Sequence, residues 1–263
     1  MSHSLRSLLA LLERLAPLER AESWDNVGLL IQAEAGLERR SVSRVLLTID
    51  FTEAVLAEAV ACGADLVVAY HPVVFEPLKR LTFADRTGRV ALGAVKAGVS
   101  VYCPHTALDG APGGVNDWLV EPFGPFASPP APFPEGGIAR RADLAAPISL
   151  DEAVARVKRH LGVERVRVAR ADDGVETVRS VAVCAGAGGS VLRGAEVDLV
   201  LSGEMRHHDV IAHVAVHRHV ILCDHTHSER GYLAVFADRL RKAAGTPLDV
   251  RISERDREPL AIA

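Results

Sequence analysis

The feature that most restricts what this chain can fold into is that it repeats itself. Ala64 to His71 (ADLVVAYH) lines up with Val197 to Glu204 (VDLVLSGE), and Gly98 to Asp109 (GVSVYCPHTALD) lines up with Arg218 to Glu229 (RHVILCDHTHSE). The second match superposes Cys103 on Cys223, His105 on His225, Thr106 on Thr226 and Asp109 on Glu229. Buried strands resemble one another through their β-branched runs, but chance does not readily match a thiol, an imidazole, a hydroxyl and a carboxylate in order. Each half therefore offers one device: a buried strand, then His-Thr, then a carboxylate one helical turn past the histidine.

The segments around the repeats alternate between strand and helix patterns. Leu5, Leu8, Leu9, Leu12 and Leu15 recur at helical spacing, and Pro17 closes that helix. Val42 to Asp50 reads as a strand, Thr52 to Cys62 as a helix, Asp65 to Tyr70 as a strand, Val90 to Ala97 as a helix and Val99 to Cys103 as a strand. The alternation resumes with a helix over Leu150 to Leu161, strands over Arg165 to Ala169, Ser180 to Cys184, Asp198 to Leu201 and Val220 to Cys223, and a helix over Met205 to Val216. Such alternation argues for parallel βα units. Between the halves lies a stretch thick with Pro, Gly and Phe (EPFGPFASPPAPFPEGG), in which no regular element is expected. It reads either as a linker or as an ordered loop over the first half; its phenylalanines favour the loop. The expected architecture is an α/β fold of two similar halves, 1–121 and 138–263, joined by a Pro-rich connector over 122–137. The halves form one compact unit around a central metal-binding cleft.

Composition excludes several classes. A net charge of −4 and the absence of a basic stripe argue against direct contact with nucleic acid. Cys62, Cys103, Cys184 and Cys223 show no CxxC spacing and lie in or beside apolar runs, so they read as reduced, mostly buried thiols of a cytoplasmic protein. The N-terminal leucine run is broken by Arg6, Glu13 and Arg14, which makes it an amphipathic helix and not a signal peptide. No apolar stretch reaches the roughly 20 residues of a membrane span.

In an open parallel sheet, ligands gather outside the carboxyl ends of the strands. If the two halves face those ends toward each other, the pairs His105 with Asp109 and His225 with Glu229 point into one cleft. Imidazole with carboxylate suits a divalent ion such as Zn, Fe or Mn, one or two in number. His105 is open to three roles: ligand, donor orienting Asp109, or substrate contact. His208 falls near the same place, whereas His207 and His227 read as exposed. Glu204, in the position of His71, reads as a general base, a hydrogen-bond partner or a carboxylate stabilising the next helix. Cys103 and Cys223 read as packing thiols before zinc ligands. Asp25-Asn26 and Gly28 fit a turn without further function.

SWDNVGLLI (23–31), YHPVVFEPLKRLT (70–82), HTALDGAPGGVNDWL (105–119), SGEMRHHD (202–209) and DHTHSERGYL (224–233) together resemble the NIF-three-like family, also known as GTP cyclohydrolase type 2 homologues. The likeness spans essentially the whole chain and implies a short form, without the large inserted domain of longer members. It implies two α/β halves, a dinuclear metal centre and a hexameric toroid. It places metal ligands at His71, Asp109, His225 and Glu229, with Glu229 shared by both ions; Glu229 and, from its place in the repeat, Glu204 are the catalytic candidates. Tyr70, His105, His208, Asp25 and Asn26 stand around them. Where many bacterial members have His-His, this chain has Tyr70-His71, which removes an imidazole from one of the ion sites. Two functions follow as expectations. One is a metal-dependent hydrolase of a small nucleotide-like substrate, by resemblance opening the purine ring of GTP. The other is a non-enzymatic metal-delivery or regulatory scaffold.

Overall fold

The computed structural model describes residues 3–37, 41–171 and 176–260. The chain divides into two compact units, 1–108 with 233–263, and 109–232.

The first unit opens with β1 (His3–Ser4) and α1 (Leu5–Leu15), whose N-cap Ser4 accepts from the Ser7 N–H. Then come β2 (Gly28–Ile31), β3 (Ser41–Val42), β4 (Arg44–Thr48), α2 (Glu53–Cys62), β5 (Leu66–Ala69), α3 (Arg86–Lys96), β6 (Ser100–Cys103) and the start of α4 (His105–Gly110). β4, β5 and β6 are parallel, and β2 lies antiparallel on β6. Every residue of β5 and β6 is buried, as strands covered on both faces require. Thr52 caps α2 through a bond from the Val55 N–H, and Gly63 ends it in the left-handed conformation. The helix lays Val55 and Ala59 on Leu46, Val67 and Val101 of the sheet. Each fully buried Val or Leu there contributes roughly 1.5–3 kcal/mol.

The second unit carries α5 (Val115–Val120), β7 (Ala131–Phe133), β8 (Ala139–Ser149), α6 (Leu150–Leu161), β9 (Arg167–Ala169), β10 (Thr177–Cys184), β11 (Leu199–Ser202), α7 (His207–Val214), β12 (His219–Leu222) and α8 (His227–Arg230). β10, β11 and β12 are parallel, with β9 antiparallel on β12, so their plan repeats that of β4, β5, β6 and β2. β8 and β7 extend the sheet on the other edge in antiparallel pairing. The fold is α/β with two sheets built around the repeat. From α9 (Tyr232–Ala244) the chain returns to the first unit, where β13 (Asp249–Ile252) pairs in parallel with β4.

One expectation is corrected. No regular element is expected over 122–137, yet β7 lies within it and the segment is ordered. Phe123 is fully buried, β7 pairs with β8, and Phe126 bridges Leu144, all within the second unit. Pro132 is tolerated because β7 is an edge strand. The units divide at 108/109 and 232/233, and β13 pairs with β4 inside the first unit. The repeats also differ in register by one residue: Leu66 pairs with Ser100, but Leu199 pairs with His219, one position before the aligned Val220.

The structure adds a repeat device that the strand patterns hide. Asp65 Oδ2 accepts from Ser43 N, Arg44 N and Ser43 Oγ at 2.8, 3.0 and 3.0 Å. Its counterpart Asp198 Oδ2 accepts from Arg179 N, Ser180 N and Ser180 Oγ at 2.7, 3.1 and 3.3 Å. In each unit one carboxylate ties the start of the first parallel strand to the start of the second. Among the described residues, no helix is long and apolar enough to cross a membrane.

Candidate metal centre

In the first unit the chemistry collects where β4, β5 and β6 end. Asp50 follows β4, Tyr70 and His71 follow β5, and His105 follows β6. Asp50 Oδ1 lies 3.1 Å from His71 Nδ1. A carboxylate at Nδ1 holds the proton there and makes Nε2 the lone-pair nitrogen, the arrangement that orients histidine ligands in metal sites. His105 Nδ1 is held in the same way by Asp25 Oδ1 at 2.8 Å, while Asp25 Oδ2 accepts from Thr106 N at 3.1 Å. Burial works to raise the Asp25 carboxyl. The bonds from His105 and Thr106 outweigh it and hold the group below the usual carboxylate range. They also hold His105 at a φ of +26°, unusual for a residue with a side chain.

Tyr70 is 3% exposed, with its ring 5.1 Å from that of His71 and 5.6 Å from that of His105. The His71 and His105 rings are 5.5 Å apart and nearly perpendicular. Tyr70 thus packs against both histidines where the resemblance expects another imidazole. Asn26 donates from Nδ2 to Val74 O at 2.6 Å and pins the 23–28 segment that carries Asp25.

In the second unit His225 stands between two carboxylates. Its Nδ1 is 2.9 Å from Glu204 Oε1, and its Nε2 is 3.3 Å from Glu229 Oε1. Glu204 is half exposed, whereas the Glu229 side chain is 2% exposed. Of the roles open to Glu204, the geometry gives it the hydrogen-bond partner. Ser228 Oγ accepts from Gly186 N at 2.8 Å and donates to His225 O, fixing the turn into α8. Gly186 has a φ of +60°, and a Cβ on it would fall 2.8 Å from Glu229 Oε1 and 3.0 Å from His225 Nε2. Asp109 is 5% exposed near the end of α4, one turn beyond His105, as Glu229 is one turn beyond His225.

These residues fit a divalent ion. A Nε2 lone pair facing a buried carboxylate oxygen at 3.3 Å is repulsive unless a proton or a cation sits between them. Imidazole with carboxylate is the donor set of Zn, Fe or Mn, and the glycine keeps the space beside both donors open.

The cysteines are packing residues. Cys103 Sγ donates to Tyr70 O at 3.0 Å, and Cys223 Sγ to Ser202 O at 3.5 Å. Burial pushes both thiols up, that of Cys223 to about 12. His208 is exposed on α7 with its ring against His207, so it is not drawn into the second unit's cluster. Sequence reasoning missed Asp50, Ser228 and Gly186. The acid closing the run VSRVLLTID and the glycine just past the expected strand Ser180 to Cys184 were the available signals.

The sequence profile of Duf34/NIF3 (NGG1p interacting factor 3) matches residues 3–259. The chain belongs to this family. It is 36% identical to the Drosophila melanogaster NIF3-like protein 1, with 97% of this chain and 88% of that protein covered. It is 39% identical to the NIF3 homologue of Schizosaccharomyces pombe, with 91% of each covered. Among solved structures it resembles a Bacillus cereus protein related to NIF3, at a TM-score of 0.84 and 19% identity over 100% of this chain and 99% of that one. It also resembles reduced HcgD from Methanocaldococcus jannaschii, at a TM-score of 0.82 and 21% identity over 97% and 99%. At these identities the structures share the fold.

Proposed function

We propose that this chain binds a divalent metal through His71, Asp109, His225 and Glu229 and hydrolyses a small nucleotide-like substrate there. The observation that carries the reading is His225, with its Nδ1 engaged by Glu204 and its Nε2 set 3.3 Å from buried Glu229. His71 with Asp50 offers the same carboxylate–imidazole pairing from the first unit, and Asp109 matches Glu229 in the repeat. When bound, the ion supplies Lewis-acid activation of water. Glu204 and Asp50 keep the two imidazoles in the ligating tautomer, and Glu229 provides the buried negative charge that draws the cation in. The resemblance supplies the hydrolytic part of the proposal, and within that class the ring opening of GTP is the first reaction to test.

Elemental analysis of protein purified without added metal, followed by assays with GTP, pyrophosphate and phosphoesters, tests it. One or two equivalents of a transition metal are expected, with metal and turnover both lost in Glu229→Ala. A wild-type protein that takes up no metal would sink the whole reading. Bound metal without turnover on any substrate, together with transfer of the ion to an acceptor apoprotein, would leave the delivery function standing.

A further inference from the structure

The interval between the first and second parallel strands is where the two units part. In the first unit α2 fills it; in the second, residues 185–196 form turns and no helix. The turns begin Ala185-Gly186-Ala187-Gly188-Gly189-Ser190. Beside them opens a cavity of about 540 Å³ lined by Ala187, Gly189, Ser190, Arg193, Met205 and Arg206, with Glu204 and Asp209 also on its wall. That volume lies within the range of small-ligand sites. Gly188 admits no side chain, since a Cβ there would come within 2.6 Å of Ser202 Oγ, and one on Gly189 would lie 3.0 Å from Asp209 Oδ2, a tight contact.

The backbone N–H groups of this loop divide into two sets. Those of Ala185, Gly186 and Gly188 donate to Asn116 Oδ1, Ser228 Oγ and Ser202 Oγ at 2.8, 2.8 and 2.9 Å. Those of Ala187, Gly189 and Ser190, the residues that line the cavity, find no acceptor among the described residues. Gly189 is buried, where N–H groups take partners. Charge points the same way. Asp209 is paired with Arg193 at 3.0 Å and Glu204 with His225 at 2.9 Å, while Arg206 has no ion pair among the described residues. Arg206 is also the N-cap of α7 and makes no side-chain cap bond, so the positive end of that helix adjoins the same wall.

We propose that this cavity is an oxyanion subsite, which takes the phosphate groups of the substrate on the Gly189–Ser190 backbone and the Arg206 guanidinium. It rests on the metal-dependent reading above and sharpens its substrate class to phosphorylated compounds. Glu204 links the two places, since it lines the cavity and holds His225. Calorimetry with inorganic pyrophosphate on metal-stripped protein tests the subsite apart from the metal. Binding is expected, at least tenfold weaker in Arg206→Gln, recovered in large part by Arg206→Lys, and retained in Glu229→Gln. Absence of binding by the wild type, or equal affinity in Arg206→Gln, overturns the subsite and leaves the metal reading intact. Protein that binds pyrophosphate as described yet takes up no metal refutes the metal reading and keeps the subsite.

Discussion

His225 sits between a half-exposed glutamate and a buried one, and the two make different demands. Glu204 holds the ring through Nδ1, and on the proposed reading Glu229 would share a cation with Nε2. Glu204→Gln keeps an oxygen at the same reach and should lower metal affinity by about 10- to 100-fold without abolishing binding, the usual cost of losing an orienting carboxylate. Titration against a chelating indicator dye measures it, and unchanged affinity would show that Glu204 has no part in holding the ion. Gly186→Ala tests the opened space. The new methyl would lie 2.8 Å from Glu229 Oε1 in a backbone conformation of φ +60°. We expect a loss of about 1–3 kcal/mol from the left-handed backbone together with a fall in bound metal, read by chemical denaturation and elemental analysis on the same sample. Stability lost with full metal content would place the cost in the backbone alone.

At the scale of elements, the two carboxylates that tie strand starts together give the cleanest test of the repeat. Asp65→Asn and Asp198→Asn each weaken bonds to two backbone N–H groups, and each should cost about 1–2 kcal/mol by urea denaturation, given partial exposure. A large effect in one unit and none in the other would show that only one copy still depends on the device. α6 offers a pH test. Burial lowers His160, whose ring lies 4.5 Å from that of Trp118, below its ordinary value of 6.5 and outweighs the bond to the Trp118 backbone; burial also lowers His213. Because the folded protein holds these rings neutral while the unfolded chain protonates them near 6.5, the stability involved is present at neutral pH and is lost as pH falls below about 6.5. Melting temperature should therefore drop between pH 7.5 and 5 more steeply in the metal-stripped wild type than in His160→Gln; parallel curves would remove His160 from the account. α6 itself was legible to the residue: Ser149 caps it, Leu150 and Val157 face inward, and Gly162 ends it. The parallel strands were legible because burial on both faces makes them continuous β-branched runs. β2, β8 and β13 were not. GLLI follows turn residues, ARRADLAAPIS is too polar to read as a buried strand, and DVRI meets its partner β4 only after some 200 intervening residues. The candidate residues His105, Asp109, His225 and Glu229 stood out as chemistry repeated in order, but the acids behind His71 and His105, Asp50 and Asp25, come from other segments, and no spacing connects them to their histidines.

For the whole molecule, metal should behave as a ligand of the native state. A chelator is then expected to lower the melting temperature and added metal to raise it with the logarithm of its free concentration, a tenfold increase being worth about 1.4 kcal/mol at saturation. A melting temperature indifferent to both would mean that folding does not depend on ion binding. The ring of six copies implied by the resemblance is a separate proposal, tested by native mass spectrometry against multiples of the 28.1 kDa chain. The interval between β10 and β11 carries a wider consequence. One copy of the repeated plan keeps its helix over the sheet and the other does without it, so the price of an opening falls on a single copy. A chain made of two like parts can in this way divide its labour, one part supplying rigidity and the other access, and substitutions that improve recognition should gather in the second part while the first tolerates few.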